Sequence, residues 1–416
     1  MRDYPRITTP PPGPNARALI ERDREWASTS YIKEYPLVVA RASGVVVEDV
    51  DDNRYLDFMA GIAVASTGHA HPKVVAAITE TASRFLHICA TDFYYEEMTA
   101  LCERLALLAP GKSKKRVFVT NSGAEAVEGA MKLARHATRR TAFIAFDGAF
   151  HGRTYGAMSL TSSKAVQRFG FGPFLPDVHH VKYPDTRAIE SDLFVRRVDP
   201  RDVAAIFVEP VQGEGGYLVP PRGFLTSLRE LCDRHGILLV CDEVQCGIGR
   251  TGRMFACEYD GIEPDILLTA KGLGSGMPIG AIIARDAVMT WPAGAHGSTF
   301  GGNPVCCAAA LATLDLVEGG LTANACNRGT ELLSGLQRIA GGRKTITQVR
   351  GLGLMLGIEF TDPTLSRELV QRAFRKGLLL LGAGKSTVRL APPLIIDEYD
   401  VATALGVIEE VAAELG

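Results

Sequence analysis

The chain has 416 residues, 45 Lys+Arg against 47 Asp+Glu and a net charge of −2. At about 150 residues per domain it spans two or three domains, and its 46% hydrophobic and 22% charged content gives it a core that needs neither disulfides nor structural metals. Balanced charge without basic blocks argues against nucleic acid or an anionic membrane as partner. No apolar stretch approaches the length of a membrane span, and the start, MRDYPRITTPPPGPNARAL, lacks the charged-then-apolar order of a signal peptide, so a cytoplasmic protein acting on a small molecule is expected.

In chain order, residues 5–14 are proline-rich and predicted extended, Ala16 to Trp26 reads as a charged helix, and Leu37 to Val50 alternates like a hairpin around Gly44. Between about Lys114 and Lys271, short apolar runs alternate with helical patterns. The strands predicted there are Arg116–Thr120, Thr141–Phe146, Val203–Val208, Ile237–Cys241 and Asp265–Thr269. Their unbroken hydrophobicity implies a parallel sheet covered by helices on both faces, with the ligand crevice outside the carboxyl ends of the strands. From about Ala308 the pattern changes to helices at Ala308–Glu318 and Asn327–Ile339, a meander at Thr347–Phe360, a helix at Ser366–Lys376, a strand pair at Leu378–Leu390 and a last helix to Leu415.

The nine cysteines form no C-x-x-C pair and are expected to be reduced, mostly buried thiols. His69-Ala-His71 has no carboxylate or thiolate near it in sequence and is followed by Pro72, so a turn is expected rather than a metal pair. The 43 glycines against 7% aromatics mark a loop-rich α/β chain.

Three of those loops carry chemistry. Thr120-Asn121-Ser122-Gly123-Ala124-Glu125 joins a strand to a helix. Ser122 and Glu125 form a capping box, and the glycine exposes N–H groups that suit a phosphate, although a plain capped helix has the same pattern. Asp242 follows five apolar residues, where a half-buried carboxylate calls for a cationic partner: a protonated ring nitrogen or an ordinary salt bridge. Lys271 leaves an apolar strand for the glycine-rich loop Gly272-Leu273-Gly274-Ser275-Gly276. Poor solvation there lowers an amine's pKa and suits it to Schiff-base chemistry, while a surface lysine remains the alternative. An anion cradle, a buried carboxylate and an amine nucleophile at the ends of three strands of one sheet together match the needs of pyridoxal phosphate. Gly247-Ile248-Gly249-Arg250-Thr251-Gly252 satisfies G-x-G-x-x-G, but no amphipathic helix follows it, so a dinucleotide site is not expected there.

The blocks Gly61–Pro72 (GIAVASTGHAHP), Asn121–Glu128 (NSGAEAVE), Phe150–Thr154 (FHGRT), Glu209–Gly216 (EPVQGEGG), Asp242–Gly252, Lys271 and Ser298–Pro304 (STFGGNP) occur in one order along nearly the whole chain, and with them the sequence resembles the class III pyridoxal-phosphate aminotransferases of fold type I. The resemblance implies an α/β fold: a mostly parallel central sheet sandwiched by helices, with a smaller α/β lobe drawn from both termini. It divides the chain into residues 1–65 joining the small lobe, 66–307 as the large cofactor domain and 308–416 as the C-terminal small domain.

The resemblance also implies roles. Lys271 would bind the cofactor and, once released, move the proton between substrate and cofactor carbons. Asp242 would keep the pyridine nitrogen protonated. Ser122, Gly123 and Ala124 would hold the phosphate, with Thr299 reaching the phosphate of the neighbouring subunit of a homodimer; pairing of dimers into tetramers is left open. Phe150 and Val244 would cover the two ring faces and Gln245 would contact the ring hydroxyl, with His151 and Glu209 also beside the cofactor. Arg389 resembles the family's α-carboxylate anchor, Arg153 its arginine for the far carboxylate, and Glu214 the switch that pairs with Arg389 until glutamate arrives. Ile62 and Ser298 complete the expected substrate contacts. Ile62 stands where 4-aminobutyrate and acetylornithine enzymes carry isoleucine, and the start Asp3-Tyr4-Pro5-Arg6-Ile7 is similar to the 4-aminobutyrate-type branch, which also contains racemases. The expected activity is amino transfer from an ω-amino acid to 2-oxoglutarate. An amino-acid racemase and a non-catalytic cofactor-binding protein are the alternatives.

Overall fold

The computed structural model describes residues 2–416. The chain opens with a helix at Pro14–Trp26 and three short strands, β1 (Val39–Ser43), β2 (Val46–Asp49) and β3 (Arg54–Asp57). The proline-rich segment before the helix is tied to the β2–β3 turn, where Asn53 Oδ1 accepts from the N–H groups of Thr8 and Thr9 at 2.8 and 2.9 Å.

The central sheet follows. Its strands are β4 (Lys115–Thr120), β5 (Ala142–Phe146), β6 (Val178–Val181), β7 (Val203–Val208), β8 (Leu238–Asp242), β9 (Ile266–Thr269) and β10 (Gly280–Arg285), in the spatial order β4-β10-β9-β8-β7-β5-β6. All pairings are parallel except those of β10, which runs against both β4 and β9. The five predicted strands are present within a residue or two of their expected ends. The sheet is mostly parallel, as expected, with β10 the antiparallel member, and both β6 and β10 add to the predicted strands.

Alternation along the strands explains the unbroken apolar runs. Ile144, Phe146, Ile206, Val208, Leu239 and Cys241 pack into one core, while Phe143, Ala145, Ala205, Phe207 and Val240 pack into a second core on the other face. The second core is closed by Ala126, Val127, Ala130, Met131, Leu133 and Ala134 of the helix Gly123–Thr138. Both faces of the inner strands β5, β7, β8 and β9 are therefore buried, and polar residues are confined to the edge strands and the strand ends.

A third sheet, ordered β11-β12-β15-β14, comprises β11 (Ile346–Leu352), β12 (Met355–Phe360), β14 (Leu381–Ala383) and β15 (Thr387–Leu390), while β13 (Leu378–Leu379) joins β3 in parallel and so unites the two ends of the chain. Helices Pro363–Arg375 and Glu398–Leu415 cover this lobe. The helical stretch Pro304–Ala340, kinked at Gly320 (φ +142°), is apolar and long enough to pass as a membrane span by composition, which corrects the expectation that no such stretch exists. Half of its most apolar window is buried inside the fold.

The nine cysteines are free thiols. His69 Nε2 is 2.7 Å from Asp57 Oδ2, whereas His71 Nδ1 caps the helix Pro72–Arg84, so the two histidines serve different partners. Among the described residues no cluster of three or more His, Cys, Asp or Glu side chains could hold a metal ion.

Candidate active site

Because β4, β5, β7, β8 and β9 run in parallel, their carboxyl ends reach the same edge of the sheet, and β10 starts from that edge, with Gly280 opposite Thr120. A cavity of about 460 Å³ opens there, with walls contributed by the loop after each of these strands and by the segment before β10. Lys271, Asp242, Ser122, Gly123, Ala124, Phe150, His151, Arg153, Glu209, Val244 and Gln245 all lie on its wall.

At the end of β4, Ser122 caps the helix Gly123–Thr138 by accepting from the Glu125 N–H at 3.2 Å. Glu125 does not close the expected capping box onto Ser122. Its Oε2 accepts instead from the Asn121 N–H and Nδ2, both at 2.9 Å, because the backbone has already turned at Asn121. The first N–H groups of the helix have no intrahelical acceptor and face an anion-sized space. Gly123 is required by packing, since a Cβ there would stand 2.8 Å from Val244 Cγ1.

Asp242 ends β8 and is 4% exposed. The partner expected of a buried carboxylate is supplied by the chain itself, with Oδ2 2.7 Å from His151 Nδ1, while Oδ1 accepts from the Val244 N–H at 3.0 Å. Burial works against a protonated His151, but the hydrogen bond and charge of Asp242, helped by Glu209, outweigh it and raise the ring above the ordinary histidine value. Neither His151 nor Glu209 announced this arrangement in sequence. Glu209 accepts from the Phe150 N–H through Oε2 and from the Gly213 N–H through Oε1, each at 3.0 Å, and so clamps together the loops that carry Phe150 and Glu214.

Burial pushes the Glu209 carboxyl from 4.5 up to about 7, with His151 and the two N–H donors opposing and Asp242 adding. A folded-state value above the unfolded one means that this group's contribution to stability is full below pH 4.5 and is lost as pH rises through about 7. For the cofactor-free protein the loss is about 3 kcal/mol at most. In thermal melts from pH 5 to 8, Glu209→Gln is expected to flatten this decline whatever its baseline, and an unchanged slope would remove the assignment.

Lys271 opens a short 3₁₀ turn directly after β9 and has φ +42°, a left-handed conformation that a residue with a side chain adopts at a cost. It is half-buried, and desolvation carries its amine below the ordinary lysine value, against the pull of Asp242 and with help from Arg389. That state suits a nucleophile or proton carrier rather than a solvated surface lysine.

Arg389 lies on β15, is buried, and places Nη1 2.5 Å from Glu214 Oε1. Burial opposes the charge of both residues, but each holds the other ionised, leaving the Glu214 carboxyl below and the Arg389 guanidinium above its ordinary value. Arg153 is exposed at the mouth, its guanidinium 5.8 Å from the centre of the Phe150 ring.

Five expected contacts lie off this cavity wall within one chain: Arg389 and Glu214 stand behind it as a pair whose charges act on Lys271, and Ser298, Thr299 and Ile62 lie elsewhere. Ser298 Oγ is occupied by Asn121 Nδ2 at 3.1 Å and the Gly301 N–H at 2.9 Å, which makes it a loop tie rather than a cavity contact. Thr299 is exposed on the same loop, away from this chain's own cavity wall. Ile62, 40% exposed, lies in a left-handed turn spanning Ala60 to Ala63 that presents Val64 to the cavity instead. Sequence reading also missed Met277, Pro278 and Ile279, which complete the wall; the apolar run into β10 was their only signal. The G-x-G-x-x-G segment is a tight turn whose fully buried Arg250 donates through Nη1 to the Leu354 and Pro392 carbonyls, joining the cavity loops to the C-terminal lobe.

The site fits pyridoxal phosphate on structural grounds. It offers free helix N–H groups for a phosphate and a slot between Phe150 and Val244 for a flat ring. It also has a carboxylate for a ring nitrogen, an amine beside that carboxylate, and at Gln245 a buried Oε1 with no partner among the described residues.

The comparisons agree. Residues 28–412 match the family described as Aminotransferase class-III. The chain is 38% identical to a 4-aminobutyrate aminotransferase of Mycobacterium leprae, covering 98% of both chains, and 42% identical to an acetylornithine aminotransferase of Methanopyrus kandleri, covering 94% of this chain and 97% of that one. It is also 38% identical to an alanine/serine racemase of Pyrococcus horikoshii, covering 98% and 93% respectively. The structure of an ornithine aminotransferase from Toxoplasma gondii, described with partial occupancy of PLP at its active site, superposes with a TM-score of 0.89 at 34% identity, covering 96% of this chain and 94% of that one. With the cavity and its lysine, carboxylate and phosphate cradle in place, the chain belongs to the class III aminotransferases and is a pyridoxal-phosphate-dependent transaminase.

Proposed function

We propose that the protein moves an amino group from an ω-amino acid of the 4-aminobutyrate or N-acetylornithine type to 2-oxoglutarate, giving a semialdehyde and L-glutamate. The observation that carries this reading is the Arg389–Glu214 pair, buried behind the cavity wall and close enough for both charges to act on Lys271. An enzyme that alternates between an ω-amine with no carboxylate on its reacting carbon and a dicarboxylate needs an anchor it can neutralise for one and expose for the other. A buried guanidinium masked by a movable carboxylate meets that need.

When bound, pyridoxal phosphate supplies an electron sink for the carbon that gives up its proton. The chain's residues do the rest. Lys271 holds and moves the proton at its Nζ, and Asp242 supports a proton on the ring nitrogen. The N–H groups at Gly123 and Ala124 hold the phosphate. Phe150 and Val244 exclude water from the two ring faces. Arg153, free of any carboxylate partner among the described residues, receives the far carboxylate.

The test is glutamate formation from 2-oxoglutarate with 4-aminobutyrate or N-acetylornithine. Absence of glutamate with every ω-amine, together with loss of optical activity from an L-amino acid, would favour the racemase reading that the similarity to the Pyrococcus horikoshii protein supports. Arg389→Ala is expected to raise the KM for 2-oxoglutarate roughly a hundredfold, the equivalent of about 3 kcal/mol of charge-assisted hydrogen bonding, while the ω-amine half-reaction moves far less. An unchanged KM for 2-oxoglutarate would remove the assignment.

A homodimer is part of the proposal. It is supported by Thr299 on an exposed loop and by a neighbouring apolar surface in which Leu86, Phe93, Tyr94 and Phe300 are 69, 55, 102 and 62% exposed. The nine free thiols support a reducing, cytoplasmic setting.

A further inference from the structure

We propose that Lys164 is the second partner of the Glu214 carboxylate, receiving it when it leaves Arg389. The inference rests on the dual-substrate reading above and concerns how the anchor is uncovered.

The two oxygens of Glu214 already face two different cations. Oε1 is 2.5 Å from Arg389 Nη1, and Oε2 is 3.6 Å from Lys164 Nζ. The three side chains are graded in depth, with Arg389 8% exposed, Glu214 14% and Lys164 40%. Among the described residues Lys164 makes no other ion pair.

The backbone around Glu214 is fixed. Its carbonyl accepts from the Gly384 N–H at 2.8 Å, and the Gly213 carbonyl accepts from the Gly216 and Tyr217 N–H groups at 3.1 and 3.2 Å. The Gly216 carbonyl accepts from Arg350 Nη2 at 2.7 Å. The carboxylate therefore moves by rotation of its own side chain.

A largely buried carboxylate that gives up its guanidinium without a new partner is left as an uncompensated charge, which is strongly unfavourable. A lysine on a flexible four-carbon stem, farther out and already beside the second oxygen, removes that obstacle and sets the direction of the swing. Lys164 precedes the short turn Ala165–Gln167 on a surface segment, with Val166 and Phe169 exposed, so its ammonium can follow the carboxylate outward. It is a positioning residue that acts through Glu214 and touches no reacting atom.

The test uses the cofactor-loaded enzyme and the variants Lys164→Met, Lys164→Arg, Glu214→Gln and the double variant Lys164→Met/Glu214→Gln. Two quantities are read: the KM values for 2-oxoglutarate and for the ω-amine, and the calorimetric Kd of glutarate, a dicarboxylate that must displace Glu214 but cannot react. Lys164→Met is expected to raise the 2-oxoglutarate KM and the glutarate Kd about fivefold while leaving the ω-amine KM within about twofold, the scale of one partly exposed ion pair. Lys164→Arg restores both values, and in the Glu214→Gln background Lys164→Met changes neither. The proposal is overturned if Lys164→Met has no effect, if both substrates shift alike, or if the effect persists without the Glu214 charge, which would mean that Lys164 attracts the substrate directly. A wild-type enzyme that makes no glutamate from any ω-amine fails the dual-substrate reading itself, a result distinct from any of these.

Discussion

Lys271→Ala is expected to lower amino transfer at least about 10⁴-fold in both half-reactions, because one amine serves as nucleophile and as proton carrier and alanine replaces neither role. The site prepares the amine for both. It leaves the end of β9 at φ +42° and lies half-buried on the cavity wall, where desolvation favours the neutral form that can accept a proton. Removing a side chain that lines a cavity takes little packing away, so the variant's melting temperature should stay within a few degrees of wild type, which separates lost chemistry from lost folding. Borohydride treatment of the cofactor-loaded protein should fix a stable added mass on the peptide containing Lys271 in wild type and on no peptide of the variant. Added methylamine should return a small part of the activity by standing in for the missing amine. Activity within tenfold of wild type, or a borohydride label on another lysine, would displace Lys271 from its role.

How much of this was legible in sequence depended on how local the cause was. The strands β5, β7, β8 and β9 are buried on both faces, so every residue before their carboxyl ends had to be apolar and each run stood out. β6 is an edge strand of sequence VHHV with only Val181 fully buried, and nothing in it distinguishes a strand from a loop. β10 had a visible apolar run, but its reversed direction comes from pairing with β4, about 160 residues earlier, which no local pattern encodes. The same division holds in the site. Asp242 and Lys271 announced themselves as charges straight after apolar strands. His151, Glu209 and Lys164 are polar residues in loops, and their meaning lies in partners 91, 4 and 50 residues away; two of those contacts exist only because strands from distant parts of the chain end side by side. Ser298 and Ile62 are the converse case: motif position suggested substrate contacts, whereas within one chain Ser298 Oγ accepts from Asn121 Nδ2 and the Gly301 N–H and Ile62 is 40% exposed.

Asp242→Asn is expected to slow both half-reactions about 10³-fold with little change in either KM, a pattern that contrasts with the split between substrates expected for Arg389→Ala and Lys164→Met. Asparagine keeps the shape and can still accept from the Val244 N–H, so packing at the end of β8 survives. What disappears is the negative charge that sustains a proton on a ring nitrogen, and with it the electron demand on which both directions of transfer depend. His151 provides an independent reading. In wild type, Oδ2 of Asp242 lies 2.7 Å from His151 Nδ1 and raises the ring above the ordinary histidine value against the effect of burial. The pair's contribution to folding is therefore full below pH 6.5 and is lost as pH rises through the folded-state value. With the charge gone, burial, the largest effect on the ring, is opposed only by the weaker pull of Glu209, and His151 should titrate below its wild-type value in the NMR spectrum of labelled, cofactor-free protein. If the variant keeps more than a tenth of wild-type turnover, the carboxylate is a structural ion pair and the cofactor's nitrogen is held by some other group; if His151 titrates unchanged, Asp242 does not set the protonation of that ring.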